Sequence, residues 1–273
     1  MPYTLRQVNT IIETLWPLAG AEDWDAPGLL VGDPEQRVER VLLAVDAVAA
    51  TVDEAVSASA DLLLVHHPLL MRGVTSVAED RYKGAIIARL IRSGIALVAA
   101  HTNADIVQNG TSDVLSTRLG LVDAVPIVPG ADGATGLGRV GDLHEPSMLG
   151  QIARELASFL PPTATGVRAA GAFDKPITRI AVCGGAGDSL LGHPAVRGAD
   201  LYVTADLRHH PASESREQTI LTGEGPALID VSHWASEWLW LDAAAAALRE
   251  ALPELQVVVS ELRTDPWDFV VTQ

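Results

Sequence analysis

Short apolar runs alternate with amphipathic segments along the first half of the chain. The run at residues 62–65 is typical of a strand that is buried on both faces of a parallel sheet, and residues 38–46 and 95–100 are expected to form strands beside it. The segments between them, residues 49–59 and 81–93, have the length and composition of helices. A further amphipathic helix is expected to begin after Thr4, which is a good N-cap residue. This order predicts a βαβαβ unit with right-handed crossovers and a mainly parallel sheet.

The second half of the chain repeats landmarks of the first. Ala60-Asp61-Leu62 recurs as Ala199-Asp200-Leu201 at an offset of 139, and an apolar run that ends in His101 is matched by one that ends in His233. The repeats predict an α/β fold of two similar lobes, which arose by internal duplication and contain mostly parallel sheets. The expected lobes are residues 1–130 and 131–273, because residues 125–135 are rich in proline and glycine. The strand ends of both lobes are expected to meet at a shared cleft.

Composition narrows the possible function classes. The 273 residues include 19 basic and 35 acidic side chains, which give a net charge of −16, so nucleic-acid binding is not expected. No run approaches the roughly 18 apolar residues of a membrane helix, and the N-terminus does not resemble a secretory signal. The lone Cys183 excludes an intramolecular disulfide framework and is expected to be a core residue. These features predict a cytoplasmic protein.

Histidines stand at the ends of three predicted strands. His66 and His67 follow residues 62–65, His101 follows the next apolar run, and His233 ends the corresponding run of the second half. Two carboxylates lie four residues after a histidine, Asp105 after His101 and Glu237 after His233. A helical turn would point the members of each pair the same way. A histidine four residues from a carboxylate is also common on solvated helices, and one of His66 and His67 could cap its strand while the other faces solvent. Three predicted strands that all end in histidine nevertheless favour a ligand site.

The number and type of these side chains indicate which cofactor they would hold. Three or four imidazoles with two carboxylates exceed the four ligands of a closed structural zinc site, and no thiolate is among them. Mixed nitrogen and oxygen ligands suit zinc, manganese, iron or nickel, whereas magnesium is less favoured. Five or six ligands predict two divalent metal ions per chain. Imidazole binds metal only when neutral, so an ordinary histidine pKa near about 6.5 predicts metal release between roughly pH 6 and 5.

Two further sequence features need interpretation. Residues 136–141 match the glycine pattern of a dinucleotide-binding loop. That loop must follow a buried strand and open a helix, which the flanking residues do not predict, so a glycine-rich strand is expected instead. Asp206 and His210 lie on the predicted loop after the repeat's own strand. They could contact a substrate, or they could be ordinary solvated loop residues.

The motifs His66-His67-Pro68, His101-Thr102-Asn103-Ala104-Asp105 and Ser232-His233-Trp234-Ala235-Ser236-Glu237 together resemble the signature of a known family. It is the NIF-three-like family, also called the GTP cyclohydrolase 1 type 2 homologue or dinuclear metal centre family. Residues 25–32 and 136–141 resemble its other recurring segments, so the resemblance spans nearly the whole chain. One departure is Ser232, where the family usually has glycine. Only a short loop separates the two halves, which is typical of the family's short form.

The resemblance implies a two-lobed α/β fold, a toroidal homohexamer and a two-metal site. It assigns His66, His67, Asp105, His233 and Glu237 as metal ligands, with His101 as an addition. The expected function is hydrolysis of a nucleotide-like or phosphorylated small molecule by metal-activated water, with GTP cyclohydrolase activity as the family's named possibility. The alternative is a non-catalytic metal-binding hexameric scaffold, or a metal-handling or interaction protein.

Overall fold

The computed structural model describes residues 3–272 and divides the chain into two compact units. The first unit contains residues 3–104 and 241–264, and the second contains residues 105–240 and 265–272. This division does not coincide with the expected boundary at residue 130. The reason lies in strand pairing, since residues near the C-terminus pair with a strand of the first unit, and pairing partners are not visible in a hydrophobic pattern.

The regular elements follow the predicted alternation of strands and helices. In the first part of the chain they are β1 (Tyr3–Thr4), α1 (Leu5–Leu15), β2 (Gly28–Val31), β3 (Arg37–Val38), β4 (Arg40–Asp46), α2 (Ala49–Ser57), β5 (Leu62–His67), α3 (Tyr82–Ser93), β6 (Ala96–Ala99) and α4 (Thr102–Asp105). They continue with α5 (Thr111–Arg118), β7 (Leu121–Val125), β8 (Val128–Pro129), β9 (Gly136–Leu137), β10 (Arg139–Met148), α6 (Leu149–Phe159), β11 (Arg168–Ala170) and β12 (Pro176–Ala186). The last are α7 (Pro194–Arg197), β13 (Leu201–Ala205), α8 (His209–Thr222), β14 (Ala227–Val231), α9 (His233–Trp238), α10 (Trp240–Ala251) and β15 (Gln256–Val259).

The first unit is built around a five-stranded sheet in the order β15-β4-β5-β6-β2. The four strands β15, β4, β5 and β6 are parallel, and only the edge strand β2 runs antiparallel. Leu42, Leu63 and Leu97 lie in neighbouring strands and have no exposed surface. Such uninterrupted aliphatic strands need cover on both faces, which explains their pattern in the sequence. The helix expected after Thr4 is confirmed, with Thr4 as its N-cap.

The second unit contains a six-stranded sheet in the order β11-β14-β13-β12-β10-β7. Its centre, β12 to β14, is parallel, and the strands on either side are antiparallel. The α/β class is therefore confirmed, and each sheet has a parallel centre that brings the carboxyl ends of several strands to one edge. The internal duplication and the shared cleft stay predictions. Within residues 3–272 no helix combines the length and the apolar character that crossing a bilayer requires.

The glycine-rich residues 136–141 form strands, as expected, and not a nucleotide-binding loop. All of them except Gly138 lie in β9 and β10, which pair with β8, β12 and β7. Arg139 at the start of β10 is 2 % exposed. Its guanidinium donates to the Asp113 carboxylate at 2.9 Å and to the carbonyls of Gly136, Gly138 and Val107 at 2.7 to 3.0 Å. A buried charge needs such compensation.

Candidate metal centre

Three imidazoles meet at the carboxyl edge of the first unit's sheet. His66 and His67 end β5, and His101 follows β6, its parallel neighbour. The ring centroids of His66 lie 5.1 Å from those of His67 and of His101, and the His67 and His101 centroids are 5.4 Å apart. One ring nitrogen from each residue lies within 4.8 Å of the other two. Because β5 and β6 run parallel, the ends of these strands place the three rings next to one another.

Each of these rings has its Nδ1 atom opposite an oxygen that can only accept. The contacts are His66 Nδ1 to the Ala100 carbonyl at 2.8 Å, His67 Nδ1 to Asp46 Oδ1 at 2.7 Å, and His101 Nδ1 to Asp25 Oδ1 at 2.8 Å. An acceptor at Nδ1 requires the proton to be on Nδ1 and leaves Nε2 as the atom that binds metal. Carboxylate partners also raise the basicity of the imidazole. The cluster is therefore oriented for metal binding by residues outside the predicted ligand set.

Asp25 holds the His101 end of the cluster in place. Its side chain has no exposed surface. Besides His101, it accepts from the Thr102 backbone N–H at 3.1 Å, from the Thr102 hydroxyl, and from the Ala26 N–H at 2.8 Å. Burial alone would raise the pKa of Asp25, but the hydrogen bonds from Thr102 and His101 outweigh it and lower the pKa below its ordinary value of 3.8. Asp25 is therefore an anion at neutral pH.

In the second unit, helix α9 presents a histidine and a glutamate on one face. Ser232 is the N-cap of α9, and its side chain accepts from the Ala235 N–H at 3.2 Å. His233 Nε2 lies 2.9 Å from Glu237 Oε1, and His233 Nδ1 lies 2.8 Å from Asp206 Oδ2. Burial lowers the pKa of His233, but the Glu237 and Asp206 carboxylates outweigh it and raise the pKa to about 11. In the metal-free chain this histidine is an imidazolium between two carboxylates.

A glycine lets the backbone approach the same pair. Gly185 lies near the end of β12 and has φ of +66°, in the left-handed region. A Cβ atom there would lie 2.4 Å from Glu237 Oε1 and 3.3 Å from His233 Nε2. The Gly185 N–H donates to the Ser236 hydroxyl at 3.0 Å, which joins this end of β12 to α9. Only glycine fits this position without displacing a candidate ligand.

Asp105 is fixed by a separate set of contacts within the second unit. The Thr111 hydroxyl donates to Asp105 Oδ1 at 2.5 Å. The guanidinium of Arg139 donates to the carbonyl of Val107 and so stabilises the segment between Asp105 and Thr111. Burial, together with the negative charges of Asp105 and Glu237, raises the pKa of the Cys183 thiol to about 12. Cys183 is thus a protonated core residue, as expected, and supplies no thiolate at neutral pH.

Comparison with known proteins identifies the family. The model of the Duf34/NIF3 (NGG1p interacting factor 3) family matches residues 3–266. This chain belongs to the Duf34/NIF3 family. A Streptomyces coelicolor protein named GTP cyclohydrolase 1 type 2 homolog is 47 % identical over 270 residues, which cover 96 % of this chain and 93 % of that one. The namesake from Mycobacterium tuberculosis is 36 % identical over 377 positions, covering 98 % of each chain. That alignment is longer than the 273 residues here, consistent with the expected short form.

Solved structures of the Duf34/NIF3 fold agree with this assignment. The Staphylococcus aureus protein SA1388 is 27 % identical, with a TM-score of 0.89 over 99 % of this chain and all of that one. A Bacillus cereus protein related to NIF3 has the same TM-score and coverage at 23 % identity, a likeness that concerns the fold alone.

The predicted site residues of this Duf34/NIF3 protein fall into two groups. The first unit brings together His66, His67 and His101, and the second pairs His233 with Glu237. Asp206 contacts His233 directly, so its visible role is to orient that ring. His210 lies in the first turn of α8 and not on a loop, because the chain turns helical after Arg208. The His210 ring is exposed, and its centroid is 5.2 Å from that of His209.

Four residues of the site were missed by sequence reasoning: Asp25, Asp46, Gly185 and Arg139. Asp46 had a usable signal, since it ends a buried strand next to the one that ends in histidine. Asp25 begins the segment 25–32, which the sequence marked only as similar to a recurring segment of the family, without a role for Asp25. The donor set of this Duf34/NIF3 chain suits a borderline divalent cation, because imidazoles with Nδ1 engaged and carboxylates are ligands that zinc, manganese, iron and nickel accept.

Proposed function

We propose that this Duf34/NIF3 chain is a metal-dependent hydrolase of a nucleotide-like or phosphorylated small molecule. In this proposal two divalent metal ions per chain are bound by His66, His67, His101, Asp105, His233 and Glu237. The three-histidine cluster, in which every Nδ1 faces an acceptor, carries the proposal. Structural histidines have no need for such common orientation, whereas metal ligands do. The names of the relatives point to the same reaction class.

The chain's own residues orient the imidazoles, place carboxylate charges beside them and offer no activated side-chain nucleophile at Cys183 or Ser236. Asp25, Asp46 and Asp206 hold three imidazoles by Nδ1 and increase their basicity. A bound divalent ion would supply Lewis acidity and lower the pKa of water. Cys183 is protonated at neutral pH, which argues against a thiolate nucleophile. The hydroxyl of Ser236 donates to the His233 carbonyl and accepts from the Gly185 N–H. Its role is therefore structural and not that of a nucleophile. These features favour water as the attacking group.

Metal stoichiometry and turnover test this proposal together. We expect about two zinc, manganese, iron or nickel ions per chain after reconstitution, by elemental analysis. His66→Ala and Glu237→Gln should each lower occupancy, whereas His144→Gln, at an exposed histidine of β10, should not. Hydrolysis of a panel of nucleotides and phosphate esters should require metal and stop with a chelator. Absence of stoichiometric metal in the wild type would refute the metal centre, and full occupancy without turnover would favour the scaffold alternative.

We also propose that the chain assembles with itself and works in the cytoplasm. The family resemblance supports a homohexamer, whose mass would be six times 28.8 kDa, or about 173 kDa. Light scattering of metal-loaded protein measures this directly. A mass near 28.8 kDa at micromolar concentration would contradict the assembly.

A further inference from the structure

One large aromatic side chain lies exposed beside the three-histidine cluster. Trp24 has 59 % of its surface accessible. The centroid of its ring is 5.9 Å from that of His101, and the two rings are inclined at 80°. Of the six tryptophans in the chain, only Trp24 and Trp267 are more exposed than buried, at 59 % and 61 %. An indole combines a large apolar ring with a polar N–H, and tryptophan is accordingly enriched at binding surfaces.

The loop that carries Trp24 is fixed and not loosely hinged. The residue after it, Asp25, bonds to His101 and Thr102. Two residues earlier, the Glu22 N–H donates to the Thr102 hydroxyl at 3.0 Å, and the Asp25 N–H donates to the Glu22 carbonyl at 3.0 Å. Trp24 is thus held between two anchors that both lead to the His101–Thr102 segment. A rigid aromatic side chain loses little conformational entropy when it binds a ligand.

We propose that Trp24 is a stacking platform for a planar heteroaromatic ring of the nucleobase class in the substrate. The inference deepens the proposed function and rests on it. In an edge-to-face contact at 80°, His101 covers at most one face of the indole, which leaves area for a second ring. Base–aromatic stacking tolerates many bases because each has a π-face. The platform therefore selects for a flat ring and not for one particular base.

Charge around the loop indicates which part of a nucleotide would bind here. Trp24 stands between Asp23 and Asp25, and Glu22 precedes them, with Glu22 and Asp23 exposed. These carboxylates repel a phosphate group. Recognition at Trp24 should therefore concern the ring, and a phosphate would be held elsewhere. It follows that loss of the indole weakens the binding of a nucleoside and of its 5′-phosphate by the same factor, and leaves the binding of a sugar phosphate without a nucleobase unaffected.

Calorimetric titration of zinc-reconstituted protein tests the platform. The probes are guanosine, adenosine, guanosine 5′-monophosphate and ribose 5-phosphate. In Trp24→Ala we expect the affinity for all three probes that carry a nucleobase to fall by about tenfold, with the affinity for ribose 5-phosphate unchanged. Trp24→Phe should retain most of the affinity, since phenyl also stacks. Trp267→Ala, the matched change at the other exposed tryptophan, should bind every probe like the wild type.

Several results would overturn the platform. The first is the absence of saturable nucleoside binding by the wild-type protein, and the second is wild-type nucleoside affinity in Trp24→Ala. The third is a loss of affinity for ribose 5-phosphate in Trp24→Ala that equals the loss for the nucleosides. A drop in assembled mass by light scattering in Trp24→Ala, with nucleoside affinity unchanged, would assign the indole to a contact between copies of the chain. Zinc content, measured on each sample, separates this failure from that of the metal centre, because nucleoside affinity and metal occupancy are read independently.

Discussion

Replacing Asp25 by asparagine tests whether the residues behind the histidines control metal binding. The change keeps the size of the side chain and removes its charge and one acceptor oxygen. Asp25 Oδ1 accepts from His101 Nδ1 and the Ala26 N–H, and Oδ2 accepts from the backbone N–H and the hydroxyl of Thr102. Whichever way the amide is placed, its NH₂ group faces a backbone N–H that the carboxylate had accepted, that of Ala26 or that of Thr102. One backbone donor therefore loses its acceptor.

The expected magnitude follows from these contacts. An unsatisfied buried donor costs about 1–3 kcal/mol, so Asp25→Asn should lower the free energy of unfolding by that amount. If the NH₂ group faces His101, the ring must move its proton to Nε2, which then cannot bind metal. Changes to such outer partners typically weaken metal binding by about 10- to 100-fold. Because the pKa of Asp25 is lowered on folding, its stabilising effect is present above the ordinary pKa of 3.8. It disappears as the pH falls through the folded value, and the variant should lack that acid dependence.

Two measurements separate affinity from stability. Zinc affinity is obtained by competition with a chromophoric chelator, and stability by urea unfolding of the metal-free protein at several pH values. Asp53→Asn is the matched control, since Asp53 is a 62 % exposed carboxylate of the same unit that pairs with Arg89 at 2.8 Å. Exposed pairs contribute about 0–1 kcal/mol, and this one has no contact with the cluster. Zinc affinity of Asp25→Asn within twofold of the wild type would refute the reasoning.

Three further changes probe other parts of the site. Gly185→Ala should weaken zinc binding at least tenfold and cost about 1–2 kcal/mol in urea unfolding, because its Cβ would meet Glu237 and its φ is positive; wild-type affinity would disprove the steric argument. Metal binding at pH 7 to 8 should release about one proton from His233, because its pKa is raised to about 11 in the folded metal-free chain. The contribution of this proton to folding stability is fully present below pH 6.5 and is lost only as the pH rises through about 11. Calorimetry in buffers of different ionisation enthalpy counts that proton, and His233→Gln should lack it. Thr264→Val removes a hydroxyl that donates to Asp46. Because one hydrogen bond contributes about 1 kcal/mol net, zinc affinity should fall roughly fivefold. Unchanged zinc affinity would show that Thr264 does not support the site.

The strand ends of the site could be predicted because their signal is local. A run of aliphatic residues that stops at His66 and His67 marks a buried strand and its end within a few positions. The partners of those histidines could not be predicted in the same way. Asp46 lies 21 residues before His67 and reaches it only because the parallel register of β4 and β5 places the two residues opposite each other. Asp25 is 76 residues from His101 and depends on an irregular loop.

Titration behaviour was also out of reach of sequence reasoning. An ordinary histidine pKa predicts that protons compete with metal only below about pH 6. In the structure, His233 lies between two carboxylates and carries its proton through neutrality. The competition at this ligand therefore extends to far higher pH. The i, i+4 spacing of His233 and Glu237 was visible in the sequence, but the effect of Asp206 was not, because it comes from the end of a different strand.

The serine that departs from the family pattern has a structural reason that also involves the C-terminal segment. Ser232 caps α9 at the turn that begins with His233, and its hydroxyl donates to the carboxylate of Asp265. The preceding residue, Thr264, donates to Asp46, which holds His67. Two consecutive residues thus stabilise the support of one histidine in each unit. A glycine at position 232 would leave Asp265 without this donor. We therefore interpret Ser232 and Asp265 as a pair whose hydrogen bond stabilises the backbone just before His233, at the position where the family usually has glycine.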